Sequence, residues 1–206
     1  MDPSSPLVPL IETLSIPDGA FTWFEENSHH LFMLGEANFA FSKALSLDGI
    51  PPRYTSNLDD TYVSVGGGTT YTQVDATRLH LEDCVLRAVQ DSTAKAFAWN
   101  FPFVTREEEN TVVQEALILS TLQSFVLLQE QTGKPIRFAL TLQADQFSRW
   151  NVLRNLWRTG FQLKGWCPFD LDEYEGYYPC RADGERFPCD RPCFYSLELP
   201  LVASKQ

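Results

Sequence analysis

The sequence predicts an α/β fold, a mostly parallel sheet with helices on both faces and an antiparallel strand at its C-terminal end. Three observations carry this. Short apolar, β-rich runs alternate with helical runs along most of the 206 residues, the signature of parallel strands joined by helices. The run His30 to Gly35 (HLFMLG) is continuously apolar and ends in glycine, as a strand buried on both faces does. The last two strand-like runs have no helix between them, only a polar loop from Phe169 to Pro192 that contains Pro and Gly, so one of them runs antiparallel.

The elements follow in order. Residues 1–29 read as a lead-in and 30–206 as one domain, the size a single core supports. After the strand at His30 to Gly35, Asn38 to Leu47 is helix-compatible. Arg53 to Asn57 and Tyr71 to Asp75 are strands, separated by the Gly66-Gly67-Gly68-Thr69-Thr70 run, which reads as a turn. Leu79 to Gln90 is amphipathic, with Leu79, Cys84, Leu86 and Val89 roughly on one side and Glu82, Asp83 and Arg87 solvated on the other. Lys95 to Trp99 is a further buried strand. Thr105-Arg106-Glu107-Glu108 fits a capping box that opens a long helix bearing Val113, Leu117, Phe125 and Leu128, with Gly133 and Pro135 ending it. Ile136 to Leu142 is a strand, Asp145 to Thr159 a helix stopped by Gly160, and Phe161 to Pro168 and Cys193 to Leu199 are the closing strands.

Charge and cysteine usage narrow the function. Sixteen Lys and Arg stand against 27 Asp and Glu, a net charge of -11, which argues against gripping nucleic acid by bulk charge. The excess is uneven: Lys134, Arg137, Arg149, Arg154, Arg158 and Lys164 face only Asp145 within residues 134–164. Arg154 and Arg158 share a helix face at i,i+4, either a solvated surface or a contact for RNA or an acidic partner. Five cysteines without a regular framework predict a reducing, intracellular setting. Cys167, Cys180, Cys189 and Cys193 contain no C-x-x-C pair, so no metal site is expected. No run of 18 apolar residues predicts a membrane span, and Met1 to Ser28 has no Lys or Arg, so neither a secretory signal nor a transit peptide is expected.

In such sheets ligands bind beyond the C-terminal strand ends, where strand order reverses. Four ends are candidates. Gly35-Glu36-Ala37-Asn38-Phe39 is either a cofactor-approaching loop or a tight strand-to-helix turn capped by Asn38. It is not G-x-G-x-x-G, which argues against a dinucleotide site. Asn57 to Asp60 would grip a ribose or form an exposed acidic turn. Asp75-Ala76-Thr77 would accept from an adenine amine or cap the following helix. Asn100-Phe101-Pro102-Phe103 offers a donor and acceptor, a stiff turn and a stacking face, and resembles a relaxed version of the tetrapeptide with which amino-group methyltransferases hold a planar nitrogen; the alternative is an apolar loop under the next helix.

These segments together resemble one family. Gly35-Glu36-Ala37-Asn38-Phe39-Ala40-Phe41-Ser42 resembles the G-E-G-[ND]-F-S-F-S opening of the eukaryotic large-subunit ribosomal RNA (uridine-N-3)-methyltransferase-like domain. Tyr54-Thr55-Ser56 resembles its A-T-S strand, Val74 to His80 (VDATRLH) its V-D-A-T-K-L-H, Asn100-Phe101-Pro102 its N-F-P, and Ser148 to Asn151 its S-x-W-N. Phe169 through Tyr174-Glu175-Gly176-Tyr177 to Arg181 resembles its Y-P-G-Y-x(n)-R ending. The matches are collinear from about residue 30 to 185.

The resemblance implies a class I methyltransferase-like (Rossmann-like) fold, S-adenosylmethionine as methyl donor, and a ribosomal RNA uridine as acceptor, reached directly or through a protein partner. It implies that Gly35, Glu36, Ala37, Asn38, Phe39, Asn57, Asp75 and Ala76 border the cofactor. Asn100, Pro102 and Phe103 would border the reacting base, and Tyr177 and Arg181 the substrate side. A nuclear or nucleolar location and a role in ribosome biogenesis are implied likewise. The departures are Ala37 for the second glycine, Leu58 where the family carries Asp, Glu175 for Pro, and a short segment between Ser56 and Asp75. They favour an alternative: a methyltransferase-fold protein without turnover, serving in ribonucleoprotein assembly.

Overall fold

The computed structural model describes residues 14–16, 18–60, 65, 67–102, 110–180, 185–186 and 189–201. In chain order the elements are α1 (Gly19–Asn27), β1 (Leu31–Met33), α2 (Ala40–Leu47), β2 (Tyr54–Ser56), β3 (Thr69–Tyr71), a 3-10 segment (Ala76–Leu81), α3 (Asp83–Gln90), β4 (Ala96–Asn100), α4 (Thr111–Thr132), β5 (Ile136–Gln143), α5 (Gln146–Arg149), α6 (Val152–Thr159), β6 (Gln162–Pro168) and β7 (Pro192–Leu199). They form one seven-stranded sheet in the order β3-β2-β1-β4-β5-β7-β6. β1 to β5 pair in parallel, and β7 enters antiparallel between β5 and β6.

Alternation along the central strands sorts the core into two layers. Phe32, Phe97, Trp99, Phe138 and Leu140 point to one face, where Leu79, Val85, Ile118, Leu122, Phe125, Leu128, Val152 and Leu156 cover them. Leu31, Met33, Ala96, Ala98 and Ala139 point to the other, under Ala20, Phe24, Phe41, Ala44 and Leu45. Three alanines on that second face leave depth for the two phenylalanines, whose rings meet edge to face at 5.0 Å.

Several boundaries differ from the sequence reading. The strand expected at Tyr71 to Asp75 lies earlier, at Thr69–Tyr71, because Asp75 turns to cap the 3-10 segment. The helix expected over Leu79 to Gln90 is divided by Glu82, whose backbone is extended (φ -85, ψ 108). The helix expected over Asp145 to Thr159 is divided at Asn151, which is left-handed (φ 50). The Thr105–Glu108 capping box lies outside the described residues. Where α4 is described, Asn110 is its N-cap, and the Asn110 side chain accepts from the Val113 N–H. α1 was not foreseen; it seats Ala20 and Phe24 in the second core layer.

α4 is the one described helix long and apolar enough to cross a membrane by length and composition. Here it lies on the sheet: Phe125 packs against Phe97 and Phe138, each at 4.9 Å between ring centroids. Phe125 is fully buried, so Phe125→Ala should destabilise the fold by about 3–5 kcal/mol. Urea unfolding checks this, and a loss below about 1 kcal/mol would mean that α4 does not pack on the sheet as described.

Candidate active site

The strand order reverses between β1 and β4, since β2 follows β1 to one side and β4 lies on the other. A cleft opens at that point. It encloses about 420 Å³, counting its solvent-open mouth, and is lined by Gly35, Glu36, Ala37, Asn38, Ala40 and Phe41 after β1. Asn100 and Phe101 at the end of β4 line it too, and Tyr177, Tyr178, Pro179 and Cys180 close it from the C-terminal loop.

The first wall is built by a glycine and a buried acid. Gly35 is left-handed (φ +61), and a Cβ there would overlap the Trp99 indole nitrogen. Glycine is therefore required for the close approach of β1 to β4 as much as for any ligand. The Glu36 N–H donates to the Ser56 carbonyl at 2.9 Å. Its carboxylate is buried and accepts from the Ser42 N–H at 2.9 Å, the Ser42 hydroxyl and the Thr55 hydroxyl. Burial nevertheless dominates and raises the Glu36 pKa above its ordinary 4.5, against the pull of these hydrogen bonds and of Lys43. Asn38 accepts from the Ala40 N–H at 3.0 Å, as a turn-capping side chain does. Ala37 is not among the left-handed residues; the non-glycine left-handed position in this loop is Phe39 (φ 58), which is fully buried.

The second wall is pinned to β5. Asn100 and Thr141 are register partners. The Thr141 hydroxyl donates to Asn100 Oδ1 at 2.6 Å, and the Phe101 N–H donates to the Thr141 carbonyl at 2.9 Å. Phe101 is left-handed (φ 53), which turns the chain out of the strand into Pro102. Across the cleft, Tyr177 lies over Phe41 at 4.8 Å. Desolvation, with the Glu36 charge behind it, holds the Tyr177 hydroxyl well above its usual pKa, while Asn100 acts the other way.

The cleft thus gathers Gly35, Glu36, Ala37, Asn38, Asn100 and Tyr177. Phe39 and Pro102 are buried beside it and are not lining residues. Asn57, Asp75 and Ala76 do not line it either. The Asn57 backbone ties β2 to β3 by bonds with Tyr71 and Val74, and Leu58 is exposed. The Asp75 side chain accepts from the Thr77 N–H at 2.8 Å and the Thr77 hydroxyl at 2.7 Å. Phe103 and Arg181 lie outside the described residues. The Asp170 side chain accepts from the Asp172 N–H at 3.0 Å.

Sequence reasoning missed Ala40, Phe41, Phe101, Tyr178, Pro179 and Cys180. Most sit inside or beside motifs already noted, so the signal was the motif's neighbours. Thr141 carried no sequence signal, because only strand register brings it to Asn100. Among the described residues no group of three or more His, Cys, Asp or Glu is placed to hold a metal. Burial pushes the Cys167 thiol up to about 11 and the Cys189 thiol up to about 12.

A sheet of this order, with one antiparallel strand inserted before the edge and a cleft at the switch point, defines a class I methyltransferase fold. The chain belongs to the rRNA (uridine-N3-)-methyltransferase BTM5-like family, whose model matches residues 52–181. Among solved structures it is similar to an antibiotic-related methyltransferase, with 14% identity, a TM-score of 0.47, and coverage of 89% of this chain and 94% of that one. It is similar to the Dnmt2 methyltransferase of S. pombe, with 10% identity, a TM-score of 0.45, and coverage of 85% and 51%. A third is the 16S rRNA (adenine(1408)-N(1))-methyltransferase of Catenulisporales acidiphilia, with 10% identity, a TM-score of 0.45, and coverage of 91% and 94%. No curated protein matches the chain.

Two outcomes follow from the geometry. Because the folded Glu36 holds its proton to higher pH than the unfolded one, it makes stability fall as pH rises from about 4.5. Glu36→Gln should remove that slope, so urea unfolding across pH should show the variant gaining on the wild type as pH rises. A constant gap would contradict the buried acid. Asp75→Ala should cost about 1 kcal/mol through the lost cap, read in the same melts; an unchanged midpoint would mean that the cap contributes nothing.

Proposed function

We propose that this chain is an S-adenosylmethionine-dependent RNA methyltransferase acting on a ring nitrogen of a ribosomal RNA uridine. The observation that carries the proposal is the cleft at the β1/β4 switch point in a chain of this family. Phe41 and Phe101 offer apolar faces, and the loop from Gly35 to Asn38 offers backbone groups beside α2. These residues fit a nucleoside cofactor with an amino-acid tail, and the cofactor would supply an electrophilic methyl on a sulfonium.

The chain's own part is positioning and exclusion of water. Gly35 to Asn38 would hold the cofactor, Asn100 and Phe101 would seat the base, and Tyr177 would close over both. Uridine's ring N–H must lose a proton. Of the described cleft residues, Tyr177 stays protonated, and the Glu36 oxygens accept hydrogen bonds that tie them to α2 and β2. Ionisation of the base itself then limits the step. The rate of methyl transfer to ribosomal RNA should climb with pH through neutrality, about tenfold per unit until the uridine itself ionises. A bell-shaped profile centred near neutrality would reveal a protein base and contradict this mechanism.

A second reading, a ribonucleoprotein assembly component without turnover, is favoured by Asn57, Asp75 and Ala76 lying outside the cleft lining. Calorimetry with S-adenosylmethionine separates the two. The enzyme reading expects saturable binding, and absence of heat at millimolar ligand would leave the assembly role.

A further inference from the structure

The outward face of α6 joins unpaired positive charge to an exposed aromatic ring. Val152, Asn155 and Leu156 are the buried residues of this helix. Arg154, Trp157 and Arg158 stand two positions further on, which at 3.6 residues per turn is the opposite side, and all three are exposed. Trp157 is 69% exposed. Positions three and four apart are neighbours on a helix surface, so the indole shares one patch with both guanidinium groups. Arg149 in α5 pairs with Asp145, and Lys164 in β6 with Glu198. Among the described residues no carboxylate pairs with Arg154 or Arg158. The helix dipole favours Arg158 in the last turn; it gives no reason for a tryptophan in water beside it.

α6 also starts at the cleft end of the sheet. Thr141 of β5 is the register partner of Asn100, β5 ends soon after at Gln143, and of the described elements only the short α5 separates that end from α6. The Asn151 side chain, at the N-cap of α6, donates to Glu115 of α4 at 2.8 Å. α4 is the helix that follows β4, so α6 starts level with the chain leaving the cleft strand.

We infer that Arg154, Trp157 and Arg158 form a docking face for single-stranded RNA outside the cleft, in which the indole stacks on an unpaired base and the two guanidinium groups bond neighbouring phosphates. A single strand alternates base planes with phosphates, and this face offers a ring between two cations. Aromatic stacking combined with arginine on the backbone holds unpaired RNA with little dependence on sequence. Duplex RNA keeps its bases stacked on one another and offers none to the ring. An acidic protein segment would satisfy the arginines and leave the indole without a role. In a chain of net charge -11, the face supplies locally the phosphate contacts that bulk charge does not. The inference rests on the reading that RNA is the substrate.

The test measures binding of a fluorescent oligouridylate of about ten nucleotides to the full chain across salt concentrations, with polyglutamate of similar length as the acidic-peptide probe. Trp157→Ala should weaken RNA binding about tenfold with the salt slope unchanged, and Trp157→Phe should stay within about threefold of the wild type because a ring is kept. Arg154→Gln with Arg158→Gln should weaken binding and lower the slope of log affinity against log salt by about 1.4, two single-strand phosphate contacts. All three side chains are exposed, so urea midpoints should match the wild type. A wild type that binds no RNA, or Trp157→Ala with unchanged RNA affinity, overturns the inference. Tighter binding of polyglutamate, lost in the double glutamine variant, overturns it in favour of an acidic protein partner. RNA binding that passes these tests in a protein that transfers no methyl group would remove the enzymatic reading and leave the face standing.

Discussion

The cleft depends on a buried carboxylate. Glu36 leaves β1 directly after Gly35 and is tied to α2 through Ser42 and to β2 through Thr55. Taking a carboxylate out of water costs several kcal/mol unless hydrogen bonds replace its hydration. Three donors do so here, and the raised pKa of the group records what they leave uncompensated. The result is a loop held at its first residue, with Gly35 against Trp99 behind it and Ala37 and Asn38 free to face the cleft. Glu36 braces this wall, both of its oxygens accepting from Ser42 and Thr55.

The opposite wall uses the same device with neutral groups. Thr141 holds Asn100 by its hydroxyl and Phe101 by its carbonyl. The roof is aromatic: Tyr177 rests on Phe41, Phe41 on Tyr174 at 4.9 Å, and Tyr174 stacks on Phe169 at 5.0 Å. α1 enters this cluster through Phe24, which meets Phe41 and Phe194. The polar ties therefore set the walls, while aromatic packing from distant parts of the chain sets the lid. The N-terminal helix and the C-terminal loop, which carry no wall residue in common, are coupled through Phe41.

How much of this the sequence disclosed follows from the range of each interaction. The central strands were legible because burial on both faces writes a continuous apolar run, as in Leu31 to Leu34 or Ala96 to Trp99. β3 was misplaced by about one turn's length because it is short and half exposed, with little apolar signal in Thr69–Tyr71. The breaks at Glu82 and Asn151 occur at residues with no glycine or proline to announce them. At the site, Gly35, Glu36, Asn38 and Asn100 were visible as polar or glycine residues at strand ends. Thr55 and Thr141 were not, because a threonine within a strand reads as an ordinary strand residue until register shows which neighbour it meets. Ala37, which stands where the family has its second glycine, does not take a left-handed backbone; Gly35 and Phe39 do.

The central claim is that the functional cleft is the one between the ends of β1 and β4, walled by the Glu36-braced loop and by Asn100. Chemical-shift mapping with S-adenosylhomocysteine, the demethylated cofactor, tests it most directly. The account predicts that the amides of Gly35 to Asn38 and of Asn100 and Phe101 shift together and saturate with one affinity. Saturable shifts confined to any other part of the sheet, with these residues unmoved, would contradict it.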